Sequence, residues 1–389
     1  MHINNPDQKI ELESLLKDFP GFLHRASYLF DSLAAPFQQT MVLFGAGNNG
    51  RKTLAFLRQI GLEPLAFADN KKDLWFTQID GLTVLPPLLA AEKYGDLAVF
   101  IVTIFNFTTR FSDVRAQLLG LGCRRVVSFA HLAWKYPQNF LPYYCLDVPG
   151  YIQDQVEQIQ KAFSLLEDEP SRREFLAQLQ WRLSLDFDAL EPPTKEEQYF
   201  PSFLPPCNER AVFVDCGAYD GDTLKSFLKY CEHQFQAILA VEPDPLNFKV
   251  LQRFVDCLPA ETRQNIHTHW AAVGDRQGGF LFDATGTSSS AISNQGGVFV
   301  QSIMLDALLS QYRPTHIKMD IEGFERQAIR GAQNTIAKHR PNLAVCVYHR
   351  PDDLWAIPLI IKEINPDYRF YIRRYMQDCW DVVCYAVPR

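Results

Sequence analysis

The chain has no C-x-x-C pair, no run of eighteen apolar residues and no surplus of basic charge, and each absence removes a class of function. Nine cysteines scattered without metal or redox spacing read as reduced thiols of a cytoplasmic protein, not as a disulfide framework. The most apolar stretch, Leu97-Ala-Val-Phe-Ile-Val-Thr-Ile-Phe105, has the length of a core strand and is too short to span a bilayer, so no membrane partner is expected. Met1-His-Ile-Asn-Asn-Pro6 lacks the basic and apolar regions of a secretory leader. Lysine and arginine total 38 against 45 acids, a net charge of −7, which argues against a nucleic-acid partner. What is present is an ordinary globular composition, 47% hydrophobic and 21% charged, in 389 residues. That length suits roughly two or three domains and is too great for one core.

The hydrophobic pattern divides into three pieces. In residues 1–150, helical stretches at Leu12–Lys17 and Leu23–Leu33 precede apolar strands at Met41–Phe44, Pro64–Ala68, Thr83–Leu85, Ala98–Ile104 and Arg125–Phe129. Helices alternate with them: one with Leu54, Leu57 and Ile60 as its apolar stripe, others near Leu88–Tyr94 and Val114–Leu119. Residues 151–210 form a helical connector. Val156, Ile159, Phe163 and Leu166 share one helix face, suited to a core or to contact within a homo-oligomer. Ser171-Arg-Arg-Glu174 has capping-box spacing for a second helix carrying Phe175, Leu179 and Leu183. Glu191-Pro-Pro and Leu204-Pro-Pro bracket a proline-rich linker.

Residues 211–389 alternate again. Strands are expected at Val212–Asp215, Ile238–Glu242, His267–Val273, His316–Asp320 and Leu343–Tyr348, with helices near Thr223–Tyr230, Leu246–Val255 and Phe324–Lys338. Tyr368–Tyr375 and Val382–Val387 are close enough to form a hairpin, so the last strand should run antiparallel on an otherwise parallel sheet. The expected fold class is α/β: two doubly wound, Rossmann-like domains joined by the helical connector.

Ligands of doubly wound sheets bind beyond the carboxyl ends of the strands, and both α/β pieces carry a glycine loop there. The first, Gly45-Ala-Gly47-Asn-Asn-Gly50, contains no acid and runs into Arg51 and Lys52. Its glycines would let a pyrophosphate approach a helix N-terminus, and Asp69 closes the second strand, where an acid takes ribose hydroxyls. A nucleotide or nucleotide-sugar site is one reading of Gly45, Gly47, Gly50 and Asp69; tight strand–helix packing is the other. The second loop, Asp215-Cys-Gly217-Ala218-Tyr-Asp-Gly221-Asp222, holds three acids and no base, and Glu242 and Asp244 end the next strand. It would repel a pyrophosphate and welcome a cation. S-adenosylmethionine carries a sulfonium and an ammonium and no phosphate. Asp215 could face its ammonium, Gly217 admit its methionine part and Glu242 take its ribose diol. Solvated turn and cap acids are the plain alternative.

The runs Val214-Asp-Cys-Gly-Ala-Tyr-Asp-Gly-Asp222, Ala240-Val-Glu-Pro-Asp-Pro245, Ala271-Ala-Val-Gly-Asp275, Ile317-Lys-Met-Asp-Ile-Glu-Gly-Phe-Glu325 and Leu343-Ala-Val-Cys-Val-Tyr-His-Arg350 stand in one order. Together they resemble the FkbM family of S-adenosylmethionine-dependent methyltransferases over about residues 211–389. The resemblance implies a class I methyltransferase sheet with an antiparallel last strand. It also implies cofactor contacts from Asp215, Gly217, Ala218, Gly221, Asp222, Glu242 and Asp244, with Trp270, Ala271 and Ala272 along the adenine and Asp275 nearby. The activity it implies is O-methylation of a hydroxyl on a sugar, glycan precursor or natural product, hence a small-molecule or carbohydrate acceptor. The module around Gly45–Asp69 resembles the Rossmann-like modules that accompany sugar-modifying enzymes.

Methyl transfer to an alcohol needs alignment and the removal of a proton. The strand His316–Asp320 ends where the methyl should point, which makes Lys318, Asp320 and Glu322 candidates. Lys318 and Asp320 share a strand face and could instead be an ion pair; Glu322 could instead cap the next helix. His349 ends the neighbouring strand and titrates near neutrality, so it is the first choice as general base, with Asp320 second. No metal set is expected. His267 and His269 share a strand face without a third ligand, Cys379 and Cys384 read as core thiols, and S-adenosylmethionine accounts for the acids Asp215, Asp244, Asp275 and Asp320 that could hold magnesium. The pairs Gly278-Gly279 and Gly296-Gly297, flanking Thr285–Ser290, mark an excursion that covers the acceptor pocket or stands as a surface hairpin. Two rival functions remain. One is an NAD-dependent oxidoreductase or epimerase using the first loop, although no Tyr-x-x-x-Lys pair follows it; the other is a non-catalytic nucleotide-sensing module.

Overall fold

The computed structural model describes residues 6–283, 291–292 and 297–389. Thr285–Ser290 and Gly296, the centre of the glycine-flanked excursion, lie outside the described residues.

Helices Pro6–Lys17 and Phe19–Ala34 lead into strands β1 (Met41–Phe44), β2 (Ala66–Ala68), β3 (Gln78–Ile79), β4 (Leu82–Leu85), β5 (Val99–Val102) and β6 (Arg125–Ser128). They pair in the order β3-β4-β2-β1-β5-β6, parallel except for β3 against β4. Every residue of β1 and β5 is buried, because helices cover both faces of a parallel sheet and its central strands must be apolar throughout. The two-residue β3 is too short to leave a pattern in the sequence. On the helix Asn48–Gln59, Leu54 and Leu57 enter the core as expected. Ile60 does not: it is the C-cap of that helix and stands exposed.

In the connector, helices Val156–Ser164 and Glu169–Ser184 bury Ile159, Phe163, Phe175, Leu179 and Leu183. The capping box expected at Ser171 is replaced by a cap one turn earlier. Asp168 accepts a hydrogen bond from the Ser171 N–H at 3.0 Å, so Ser171 lies inside the helix. The proline-rich stretch is no free linker either. Tyr199, Phe200 and Leu204 are buried, and the segment is strapped across the second sheet.

The remaining strands are β7 (Val212–Cys216), β8 (Ala237–Glu242), β9 (Ile266–Trp270), β10 (Ala272–Val273), β11 (Gly278–Asp283), β12 (Ala291–Ile292), β13 (Val298–Ile303), β14 (His316–Met319), β15 (Asn342–Cys346), β16 (Tyr368–Arg374) and β17 (Val382–Pro388). Seven of them form one sheet in the order β16-β17-β15-β14-β7-β8-β9. All neighbours are parallel except β17, which is antiparallel to both β15 and β16. The single strand expected at His267–Val273 breaks at Ala271, and β10 joins a second sheet of order β10-β13-β11-β12. The helix expected at Phe324–Lys338 breaks at Ala332 into Glu325–Gly331 and Gln333–His339. Helix Asp353–Ile364 escaped notice because Pro358 lies inside it and reads as a breaker.

One buried apolar cluster runs from the first sheet through the connector into the second. Phe105, just beyond β5, stacks on Trp181 of the connector and meets Trp380 of the terminal hairpin at a centroid distance of 5.3 Å. This joint carries the segments after β5 and β6 to the carboxyl edge of the seven-stranded sheet. Among the described residues no helix is long and apolar enough to cross a membrane.

Candidate functional site

A cavity of about 350 Å³ opens at the carboxyl ends of β7, β8 and β14, where the topology of a doubly wound sheet places ligands. One wall is the loop after β7. Gly217 has φ +79°, and a Cβ there would stand 1.9 Å from the Asp320 carbonyl oxygen, so only glycine lets this loop lie against the end of β14. Asp215 is fully buried at the end of β7. Lys318 Nζ approaches its Oδ1 to 3.1 Å, yet neither carboxylate oxygen has a hydrogen-bond partner among the described residues. Burial pushes the Asp215 carboxyl up to about 6, partly offset by Lys318. The ammonium instead donates to the Gly217 carbonyl at 2.6 Å. Although burial disfavours its charge, Asp215 and Asp320 together hold its pKa above the ordinary lysine value. Lys318 is therefore a fixed cation bracing the loop, paired with Asp215 and not with Asp320.

Glu242, at the end of β8, lines the cavity. Its Oε2 accepts the Tyr219 N–H at 2.8 Å and its Oε1 the Asp244 N–H at 2.9 Å. Burial pushes it up to about 7, against the pull of these two bonds. Asp222, Ala271 and Ala272 also line the wall. Gly221 is the N-cap of helix Asp222–Tyr230, and Ala218 is buried within the loop, its N–H donating to the Val241 carbonyl. Of the expected cofactor residues, Asp215, Ala218 and Gly221 stand behind the wall without lining the cavity, and three more fall away from it. Asp244 caps helix Pro245–Asp256 by accepting the N–H groups of Leu246 and Asn247. Trp270 is half exposed and donates Nε1–H to the Pro243 carbonyl at 2.9 Å. Asp275 is exposed in the turn after β10.

The opposite wall is acidic. Asp320 Oδ2 accepts the Tyr199 hydroxyl at 2.9 Å; despite burial, Lys318 and His349 hold Asp320 below the usual carboxylate range. Glu322 Oε2 accepts the Tyr144 hydroxyl at 3.4 Å. Burial pushes Glu322 up to about 7, Asp320 and Glu325 adding to the shift and His349 opposing it. His349 is buried behind these two and does not line the cavity. Its Nδ1 is 2.8 Å from Glu325 Oε1, and its Nε2 is 3.4 Å from Asp320 Oδ1 and 3.7 Å from Glu322 Oε1. Burial alone would lower the pKa of the ring, yet the three carboxylates raise it well above the ordinary histidine value. The first choice as general base thus stands behind the cavity wall with carboxylates facing both ring nitrogens, and Asp320 and Glu322, not His349, are the groups that the geometry puts against the cavity.

Sequence reasoning missed Glu325, although Glu322 and Glu325 stand three apart at a helix start. It had no means of finding Tyr144, Tyr199, Phe107 or Trp380, which reach the cavity from four remote segments through tertiary packing. Five non-glycine cavity residues, Tyr144, Tyr199, Tyr219, Glu322 and Asp381, hold positive φ, and such backbone strain concentrates at functional sites. The acids Asp215, Asp244, Asp275 and Asp320 are not gathered into one metal set. Among the described residues, the group with metal-ligand spacing is Asp320, Glu325 and His349, each offering one ligand atom within 4.8 Å of the others.

At the first glycine loop, a Cβ on Gly50 would stand 2.0 Å from the Gly45 carbonyl oxygen, which ties this glycine to packing; Gly47 faces open space. Asp69 accepts the Ala46 and Lys71 N–H groups, both at 2.8 Å, and the Thr103 hydroxyl donates to the Gly45 carbonyl.

The profile of the methyltransferase FkbM domain matches residues 215–381. The crystal structure of methyltransferase FkbM from Methylobacillus flagellatus KT superposes on 98% of this chain and 98% of its own, with TM-score 0.75 and 22% identity. The fold is thus shared from end to end, the N-terminal half included. UDP-D-quinovosamine 4-dehydrogenase from Vibrio fischeri overlaps 23% of this chain and 76% of its own, at 22% identity and TM-score 0.20. A SAM-dependent methyltransferase from Aquifex aeolicus overlaps 47% of this chain and 84% of its own, at 10% identity and TM-score 0.27. No curated protein matches the chain. The seven-stranded sheet with its antiparallel β17, the loop after β7 and the matched profile make residues 215–381 a methyltransferase domain of the FkbM family.

Proposed function

We propose that the protein is an S-adenosylmethionine-dependent O-methyltransferase acting on a hydroxyl of a sugar, glycan precursor or natural product. The observation that carries this reading is one cavity with two chemically different walls: the glycine cradle and Glu242 on one side, Asp320 and Glu322 on the other. The first wall fits the cosubstrate. Gly217 lines the cavity with bare backbone, and behind it the buried Asp215 carboxylate, without a hydrogen-bond partner among the described residues, suits an ammonium reached through water. Each Glu242 oxygen keeps a lone pair beyond its backbone bond for a ribose hydroxyl, and Ala271 and Ala272 leave a shallow apolar surface for a base. S-adenosylmethionine supplies a methyl activated by its sulfonium.

On the second wall, Asp320 and Glu322 are held in place by the hydroxyls of Tyr199 and Tyr144. They are the groups placed to orient an acceptor hydroxyl and to take its proton as the oxygen–carbon bond forms and the sulfur–carbon bond breaks. The aromatic faces of Phe107, Tyr144 and Trp380 support an acceptor with an apolar face and a polar edge, as sugars have.

The test is calorimetric titration and thermal unfolding of the full chain with S-adenosylhomocysteine, beside Glu242→Ala. One site per chain is expected, with about 2.7 kcal/mol of stabilisation at 100 times the dissociation constant. Glu242→Ala should weaken binding by at least about tenfold. A parent that binds no S-adenosylhomocysteine sinks the reading. Methyl transfer from labelled S-adenosylmethionine to a panel of sugars and polyols then identifies the acceptor.

A further inference from the structure

Five carboxyls line the cavity, those of Asp222, Glu242, Asp320, Glu322 and Asp381, against one ammonium, that of Lys318. Among the described residues no arginine or histidine lines it. Asp222 and Glu242 belong to the cofactor wall, which leaves three acids at the acceptor end. Their compensation is thin. Lys318 Nζ stands 3.1 Å from Asp215 and donates to the Gly217 carbonyl, so Asp320 has only a share of its charge. The His349 ring is divided among Glu325, Asp320 and Glu322, at 2.8, 3.4 and 3.7 Å. Asp381 is in the turn between β16 and β17, and no lysine or arginine among the described residues acts on its carboxyl. Even with Lys318 and His349 both charged, the carboxylates of Asp215, Asp320, Glu322, Glu325 and Asp381 outnumber them. Burial, with Asp320 adding, pushes Asp381 up to about 6, against the pull of the Tyr348 hydroxyl, His349 and the Gln198 side chain. Like Glu322, it is a carboxyl short of a positive partner. The rings beside it suit the same charge. Trp380, its neighbour in the turn, meets Tyr144 at a centroid distance of 4.9 Å and Tyr348 at 5.9 Å, both edge to face, and all three line the cavity. Aromatic rings next to carboxylates are the surroundings in which a desolvated ammonium is held.

We propose that the acceptor is a hydroxyl compound that also carries an ammonium group, an amino sugar or aminocyclitol, with the ammonium held by Asp381 against Trp380 and the reacting hydroxyl at Asp320 and Glu322. A neutral polyol satisfies the hydrogen bonds of these acids and leaves their charge uncompensated. An ammonium brings three donors and the missing charge together. A phosphate or carboxylate on the acceptor would meet the acids and no cation free to receive it. The inference also gives the N-terminal half a task, since Tyr144 comes from that half and packs on Trp380 of the terminal hairpin. It deepens the methyltransferase reading and rests on it for the methyl; amine binding itself is independent of that reading.

The test is calorimetric titration of the full chain, with and without S-adenosylhomocysteine, at a pH below the pKa of the amines. The probes are D-glucosamine, D-galactosamine and 2-deoxystreptamine, each beside its N-acetylated form. At least one amine should bind about tenfold or more tighter than its N-acetylated form. Asp381→Asn should remove that preference and leave S-adenosylhomocysteine affinity unmoved, and Glu322→Gln should reduce the preference about threefold. If Asp381→Asn does not fold, Glu322→Gln decides. N-acetylated forms that bind as well as the amines overturn the inference, as does the absence of amine binding or a preference that the variants do not move. A methyl recovered on nitrogen overturns the arrangement, since the ammonium would then occupy the reacting end. S-adenosylhomocysteine binding by the same preparation separates the two readings. If it binds and the amines show no preference, only the acceptor inference fails. If the amines bind with their dependence on Asp381 and S-adenosylhomocysteine does not, the cofactor reading fails and the ammonium subsite stands.

Discussion

The loop after β1 and the loop after β7 are built to one plan from different chemistry. In each, the acid that ends or follows the second strand braces the loop through two backbone N–H groups, Asp69 through Ala46 and Lys71, Glu242 through Tyr219 and Asp244. In each, a side chain from the strand on the other side donates to a glycine carbonyl, Thr103 to Gly45 and Lys318 to Gly217. The bracing is therefore architecture and identifies no ligand. Beyond it the two loops part. Thr103 is neutral, and Asn49 of the first loop donates to its carbonyl. Lys318 stands between Asp215 and Asp320, and Glu322, Glu325 and His349 follow within hydrogen-bond or ion-pair reach. Fold sets where a ligand can bind, and the charged groups on neighbouring strands set which one.

Glycine-to-alanine substitutions should separate the loops most sharply. At Gly217 the added methyl would collide with the Asp320 carbonyl in a left-handed backbone. Gly217→Ala should therefore cost about 3–5 kcal/mol and abolish S-adenosylhomocysteine binding. Gly47 has φ −78°, and a Cβ there meets nothing within 4 Å. Gly47→Ala should shift stability by less than about 1 kcal/mol, since the lost N-cap preference and the reduced chain entropy oppose each other. Urea unfolding of both variants reads the difference, and equal costs would mean that the cradle at Gly217 is not rigid.

A smaller effect comes from proton linkage at Glu242. Its folded pKa, about 7, lies above that of an unfolded glutamate. The stability this raised pKa contributes is present below the unfolded value and is lost as pH rises through 7. Ribose hydroxyls donate to the ionised carboxylate, so ligand binding should move the other way. S-adenosylhomocysteine affinity should rise up to about tenfold between pH 6 and 8, the ionised fraction growing from roughly one tenth to nine tenths. Glu242→Gln should remove the part centred on 7 and leave a part centred near 6 from Asp215. A flat or falling profile in the parent, measured by calorimetry, would contradict the ribose assignment.

How much of this was legible in the sequence follows from the range of each signal. The central strands could be read because both of their faces are buried, which leaves unbroken apolar runs such as Val99–Val102. The cradle could be read because glycine and acid spacing is local. The sheet β10-β13-β11-β12 left no comparable pattern: β10 has two residues, and Leu281 and Phe299 are apolar yet exposed. The acidic wall was half legible. Asp320 and Glu322 lie in one run with Lys318, but the place of His349 behind the wall depends on three carboxylates that converge on it only in the folded chain. Tyr144 and Tyr199 were out of reach for the same reason, each lying more than a hundred residues from its carboxylate partner.

The smallest effects are expected where the resemblance placed cofactor contacts and the structure does not. Asp275 is exposed in a turn, so Asp275→Ala should change stability by no more than about 0.5 kcal/mol and leave S-adenosylhomocysteine affinity unmoved. Trp270 is the finer case. Its indole N–H donates to the Pro243 carbonyl, directly after Glu242, so its removal loosens the segment that holds the ribose acid without removing a wall of the cavity. Trp270→Ala should cost about 1 kcal/mol of stability and weaken the ligand less than threefold, through that segment alone. The first glycine loop offers a matched control, because Trp75 Nε1–H donates to the Asp69 carbonyl in the same way. Trp75→Ala should lower stability by a similar amount and leave the ligand untouched. If Trp270→Ala weakens S-adenosylhomocysteine more than tenfold, the indole covers the bound ligand, and the cavity wall closes over the edge of β9 when the site is filled.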